Sequence, residues 1–417
     1  MFIVVSGVMW VSCLLVSASV LAVQAFCPPG CICREEVPEV RCVGASLNVV
    51  PILLNPGLKS LNLAHNLLRS INQELLLYEN IERLDLSNNK ITVLGSESFA
   101  AQRELKELRL SHNNVTVIEE KSFTGMSSLR ILDLSHNNLL DLPQTVLSHT
   151  PSLQVLLLSH NRLHSLDSKT FRGLVHVERL DLCDNYFRQL PGAAISELSS
   201  LEKLDVCRNR LTYLLEGDLP TSHLKSLSLD SNSISTIDPA AFHRLESLQV
   251  LRLSNNLLAA VPTSALSALV SLETLTLSRN NISSLGAGAF VGLRRLTALE
   301  ISRCPLLASL SPSALIHCEN LRSLTLSHNP LIRYLPKSFL QPLHELQSLD
   351  LRGNSLETVD GDSLAWNSLQ SLDLRDNTLL CNCSLRWLAV LLAQPNATIP
   401  DVQCAQPDNL RGVHLSR

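Results

Sequence analysis

The sequence predicts an α/β solenoid: a curved, horseshoe-like stack of fourteen short turns with a parallel β-sheet on its concave side. One observation behind this is a recurring string, L-x-L-x-x-N. Its last position is Asn66, Asn89, Asn113, Asn137, Asn161, Asn185, Asn209, Asn232, Asn256, Asn280, Asn329, Asn354 and Asn377, with Cys304 taking the same place once. Successive spacings run from 23 to 25 residues. A second observation is a large apolar residue ten positions after nearly every one of these, among them Phe99, Phe123, Phe171, Phe242, Phe290 and Phe339. The third is composition. A hydrophobic fraction of 45% excludes a mainly disordered chain. Length alone would suggest two or three domains for 417 residues, but one uninterrupted repeat replaces them.

Residues 1–25 form an apolar run ending in Val23-Gln24-Ala25, the small-residue pattern of a cleaved secretory signal peptide. No later stretch reaches the roughly 18 apolar residues of a membrane span. The mature chain is therefore expected in an oxidising compartment, where disulfides persist. Net charge is -4 and the pI about 6.4, which argues against binding nucleic acid.

Residues 57–378 hold the repeats, and physical chemistry explains their fixed positions. Leucines two apart point to the same side of a short strand, into the core. The Asn that follows can hydrogen-bond the backbone of its own and neighbouring turns, so a ladder of Asn side chains is expected along the stack. Cys304 fits one rung as a small, weak donor. The apolar positions ten residues on (Leu76, Leu147, Ile195, Leu219, Leu266 and Leu364 besides the six Phe, with Leu315 one place late) form a convex-side spine. No turn buries its apolar face alone, so stability comes from stacking and the two ends need caps.

Cysteines supply the caps. Cys27, Cys31, Cys33 and Cys42 lie in residues 26–56; Cys381, Cys383 and Cys404 lie in residues 379–417. Four cysteines alone allow three pairings. The first cluster is not spaced C-x2-C, which argues against zinc. Cys183 and Cys207, 24 apart at outward strand positions, either bridge or sit as neighbouring thiols, since adjacent strands lie about 4.8 Å apart. Cys318 reads as a small core residue.

These clusters, around L-x-x-L-x-L repeats, resemble the flanking caps of extracellular leucine-rich-repeat proteins. The resemblance implies a leucine-rich-repeat horseshoe with Cys27–Cys33, Cys31–Cys42 and Cys381–Cys404 bridges. It also implies a fourth C-terminal cap cysteine beyond Leu415, which leaves Cys383 unpaired here. The expectation is a longer natural chain, whose tail past Arg417 could hold a transmembrane helix and a cytoplasmic segment; a secreted short form with a free Cys383 is the alternative. Within the class, fourteen repeats and the opening Val40-Arg41-Cys42-Val43-Gly44-Ala45, with Val49-Val50-Pro51 and Leu54-Asn55-Pro56, look like the Capricious/Tartan group of cell-surface recognition proteins. Small matrix proteoglycans are similar at the first cap but lack the C-x-C cap. Toll-like receptors share both caps.

No catalytic constellation stands out: G-x-S-x-G, H-E-x-x-H and P-loop patterns are absent, and neither enzyme activity, metal nor cofactor is expected. His65, His112, His136, His160 and His328 precede their rungs in register, which reads as ordinary turn chemistry rather than a titratable stripe. The candidate site is instead the concave face. Variable strand positions give an apolar step, Ile131, Val155 and Leu157, followed by a mixed-charge cluster of Arg179, Asp181, Asp184, Lys203, Asp205 and Arg208. An apolar centre with a charged rim suits a protein partner. The expected partner is an extracellular or cell-surface protein, with homophilic contact or a homodimer as one form. The expected role is recognition or adhesion as the ectodomain of a single-pass receptor; a secreted matrix or ligand-binding protein and an innate-immune recognition ectodomain are the alternatives. N-x-S/T sequons at Asn114, Asn281, Asn382 and Asn396 are candidate glycosylation sites, with Asn382 crowded between cap cysteines.

Overall fold

The computed structural model describes residues 26–34, 37–71, 73–366, 369–392 and 399–415. The signal segment, residues 1–25, and the sequon at Asn396 lie outside them. Among the described residues the dominant element is one 16-stranded sheet. Its first two strands, Ile32–Arg34 and Glu39–Arg41, form an antiparallel pair. Fourteen strands then follow in chain order, from Ser60–Asn62 to Ser371–Asp373, all parallel. Each is three residues long, with its middle leucine buried and its flanks turned outward: Leu84 of Arg83–Asp85 and Leu180 of Arg179–Asp181 are examples. Strand alternation fixes this pattern, because a shift of one residue would expose every leucine.

The asparagine ladder continues the register. Asn161 donates from Nδ2 to the Leu134 carbonyl of the preceding turn at 2.9 Å and to its own Leu158 carbonyl at 3.1 Å. Its Oδ1 accepts the backbone N–H of Leu139 at 3.1 Å. The same pattern recurs at Asn89, Asn113, Asn185 and Asn256. Cys304 keeps the position with weaker contacts, its Sγ lying 3.7 Å from the Leu277 and Ser302 carbonyls.

The residue before every rung has positive φ, from His65 and Asn88 through His328, Gly353 and Asp376. This left-handed residue turns the chain out of the strand so that the Asn side chain faces inward. L residues other than Gly and Asn rarely adopt it, yet here three-residue pairing and the rung bonds on either side hold it.

The convex side departs from the simple spine. Phe99, Phe123, Phe171, Phe242, Phe290 and Phe339 are fully buried, and Phe99 and Phe123 stack at 6.3 Å. Leu76, however, is 39% exposed; the 3-10 helix Gln73–Leu77 of this 23-residue turn buries Leu75 instead. Leu364 is only half-buried, and Trp366 fills the core beside it. Among the described residues of the repeats, regular α-helix is confined to single turns, Gly192–Ile195 and Thr263–Leu266. Turns of 23 to 25 residues leave too little chain for longer helices, and most convex segments close by tight i→i+3 hydrogen bonds such as Leu129 N–H to Met126. Three two-stranded parallel ladders also form there, one of them Val93–Leu94 with Val117–Ile118.

Candidate functional site on the concave face

Parallel pairing turns each strand position into a column running across the sheet. In one column Glu107, Ile131, Val155, Arg179 and Lys203 are consecutive partners. In the other, Arg109, Asp133, Leu157, Asp181 and Asp205 are. The structure thus brings Ile131, Val155 and Leu157 together on adjacent strands and sets Arg179, Asp181, Lys203 and Asp205 directly beside them. All seven are half-buried. Asp133, flanking Leu157, belongs to the same surface; its signal is the variable position between the two leucines, which it shares with Asp181 and Asp205.

The charges are arranged rather than scattered. Lys203 reaches Asp205 at 3.6 Å within its strand. Asp184, past the strand, takes Arg208 at 3.1 Å and His160 at 3.5 Å. Burial pushes the Asp181 carboxyl above its ordinary value, although the Cys183 backbone N–H donates to it at 3.0 Å. The Nε of Arg179 is buried with no hydrogen-bond partner within the chain. A half-desolvated carboxylate and a guanidinium with a free donor, beside an apolar step, can accept a complementary group without first breaking strong internal pairs.

Cys183 and Cys207 meet at the lip of this cluster as a disulfide, with Cα atoms 4.5 Å apart. The adjacent parallel strands bring the two residues face to face, and the bridge ties together the turns that carry Arg179 and Lys203. Cys27 pairs with Cys33, Cys31 with Cys42, and Cys381 with Cys404. Cys383 is exposed and unpaired, while Cys304 and Cys318 are buried. Desolvation pushes the Cys318 thiol up to about 12, leaving it un-ionised and inert.

The histidines form a real stack. His112 and His136 lie 4.0 Å apart and His136 and His160 3.9 Å, their rings nearly parallel. Burial holds the His136 imidazole below its ordinary value, and its two histidine neighbours add to this; Asp133 and Asp184 oppose it. Because the folded chain disfavours the His136 cation, the unfolded chain takes up the proton first as pH falls, so stability present above about pH 6.5 is lost below it. Replacing His136 with Asn keeps a residue type that takes the same left-handed backbone at Asn88 and Asn255. The expected outcome is a smaller drop in Tm for the variant than for wild type between about pH 7.5 and 5.5, read by thermal melts. Equal drops would exclude the stack as the source.

Asn114 and Asn281 are exposed, each directly after a rung on one edge of the sheet. Asn382 is exposed too, but its Oδ1 accepts the Ser384 backbone N–H at 2.9 Å as a helix cap. Among the described residues no group of three or more His, Cys, Asp or Glu could hold a metal ion, and no helix is long and apolar enough to cross a membrane.

Comparison with known proteins agrees with this geometry. The family model described as leucine rich repeat matches eight segments that together span residues 56–211 and 222–379. The human oligodendrocyte-myelin glycoprotein is 35% identical over 72 residues, and its mouse counterpart 32% over 75. The human match covers 17% of this chain and 16% of that protein, so the chain spans about a sixth of these curated relatives. Among solved structures, a leucine-rich-repeat protein of Leptospira interrogans superposes with a TM-score of 0.70 at 25% identity, covering 88% of this chain and 96% of that one. The APL1 leucine-rich-repeat domain gives 0.68 at 26% identity over 85% of this chain and 88% of that one. A chain of the LRIM1/APL1C complex gives 0.68 at 24% identity over 85% and 65%, and supports the fold.

Proposed function

Since the chain belongs to the leucine-rich-repeat family, we propose that it is an extracellular protein-binding module that recognises another protein at a cell surface through its concave face. The observation that carries this reading is the apolar step of Ile131, Val155 and Leu157 set against the Arg179, Asp181, Lys203 and Asp205 lattice. Desolvating the step gives affinity, and the half-buried charges set register and partner choice. Two further observations support it. Four disulfides fit an oxidising compartment. A protein of this fold is solved as part of the LRIM1/APL1C complex. We further infer a receptor ectodomain among recognition roles, on the resemblance of Val40–Ala45 to the Capricious/Tartan group alone.

The test is a tagged secreted form applied to a panel of intact cells. Replacing Leu157 and Asp181 together by Ala is expected to lower saturable cell-surface affinity at least tenfold, about 1.4 kcal/mol, with an unchanged circular dichroism spectrum. Affinity within twofold of wild type would overturn the reading.

A further inference from the structure

The edge of the solenoid around the fifth to seventh turns carries an unneutralised basic patch. Arg162, Arg188 and Arg210 come from three consecutive turns, all are exposed, and none has a carboxylate within salt-bridge distance among the described residues. Arg162 and Arg210 flank Tyr186 in one column directly after the rungs, while Arg188 lies two residues further along the same turn as Tyr186. The Arg210 guanidinium sits over the Tyr186 ring, 4.2 Å from its centre, which holds it in place without using its donors on a charge. Two open clefts, of about 640 and 390 Å³, meet along Tyr186 and Arg210. The nearest carboxylate of the cluster, Asp184, is already occupied by Arg208 and His160.

We propose that this edge is a docking site for a sulfated polysaccharide of the extracellular matrix. Neighbouring strands lie about 4.8 Å apart, so Arg162 and Arg210 are separated by about 10 Å along the stack, with Arg188 between and to one side. That spacing presents successive forks to successive sulfate groups of a flexible chain. Guanidinium matches a sulfate oxygen pair bidentately, as it does phosphate or carboxylate. The overall charge of -4 disfavours a polyanion spread over the whole surface, so attraction is confined to this window. The sequons Asn114 and Asn281 lie in the same edge column, two turns before and three turns after it, leaving the window itself free of glycan. This surface adjoins the concave face at Asp184 and Arg208, which also line the smaller cleft, but none of its three arginines belongs to the concave cluster.

The experiment is heparin-affinity chromatography and surface binding of the purified protein as a function of salt. Wild type is expected to bind, with affinity falling steeply as salt rises because bound counterions are released. The triple variant Arg162→Ala, Arg188→Ala, Arg210→Ala is expected to lose about tenfold in affinity and to show a salt slope shallower by two to three. A charge-matched control, Arg244→Ala, Arg294→Ala, Arg333→Ala, removes three exposed arginines elsewhere and should retain binding. Equal loss in both variants, no binding of wild type, or competition by polyglutamate as strong as by heparin would overturn the proposal. Undiminished cell-surface binding by the triple variant separates this site from the concave one.

Discussion

Replacing Asn161 with Ala lowers the free energy of unfolding of the central turns by about 1 to 3 kcal/mol. One group loses its partner outright, the Leu139 N–H, while the Leu134 and Leu158 carbonyls each keep one rung donor, Asn137 and Asn185, around a side chain that is only 5% exposed. Each buried, unsatisfied backbone group costs about 1 to 3 kcal/mol, and water cannot reach them while the turns stay stacked. The fourth and fifth turns are affected, because the Asn161 side chain bonds its own turn and the one before it. A solenoid loosens locally before it unfolds globally, so the measurement is native-state hydrogen exchange. Protection should fall selectively at Leu139 and at the strands Ile131–Asp133 and Val155–Leu157. Loss under 1 kcal/mol there would show that the ladder is replaceable. Cys304 indicates the direction of the tolerance: a rung with contacts of 3.7 Å survives inside an otherwise regular stack.

Phe123→Ala is the second large effect. Its ring is fully buried and stacks on Phe99 at 6.3 Å with a 17° interplanar angle. Truncation removes the transferred apolar area and leaves a cavity, together about 3 to 5 kcal/mol. The Phe99 pair adds roughly 0.5 to 1.5 kcal/mol. Urea denaturation followed by circular dichroism should show a first transition at lower urea that the wild type lacks. Phe123→Leu should recover most of the loss, because the other turns use Leu147 and Leu266 at the same place. Equal destabilisation by Ala and Leu would mean that ring stacking, not volume, governs the spine.

The concave sheet was readable because one period does all the work. Leucines two apart define the strand face, and spacings of 23 to 25 residues bring equivalent positions opposite each other. The columns that hold Ile131, Val155 and Leu157 follow directly. The left-handed residue before each rung was not readable: His65, Asp184, Arg208 and Ser231 occupy it, and only Asn88, Asn255 and Gly353 are residue types that announce it. Beyond the spine ten residues after each rung, the convex side carries no period, so its division into tight turns, short ladders and two single-turn helices emerges only from packing. Pairing on the site was half-legible. Asp184 shared between His160 and Arg208 depends on three turns at once, and Cys183 facing Cys207 required actual separation rather than strand spacing. The basic edge was hidden by net charge, which averages Arg162, Arg188 and Arg210 against acids far away.

The antiparallel strand Ile32–Arg34 at the start of the sheet has a consequence for solubility. A long parallel sheet offers its first strand as a template on which another molecule could polymerise. Here the first parallel strand, Glu39–Arg41, is covered by Ile32–Arg34 running the other way and locked by Cys27–Cys33 and Cys31–Cys42, so the rim left to a neighbour is an antiparallel strand of only three residues. Reducing agents would therefore do more than loosen a terminus: by freeing Ile32–Arg34 they would uncover the parallel edge behind it.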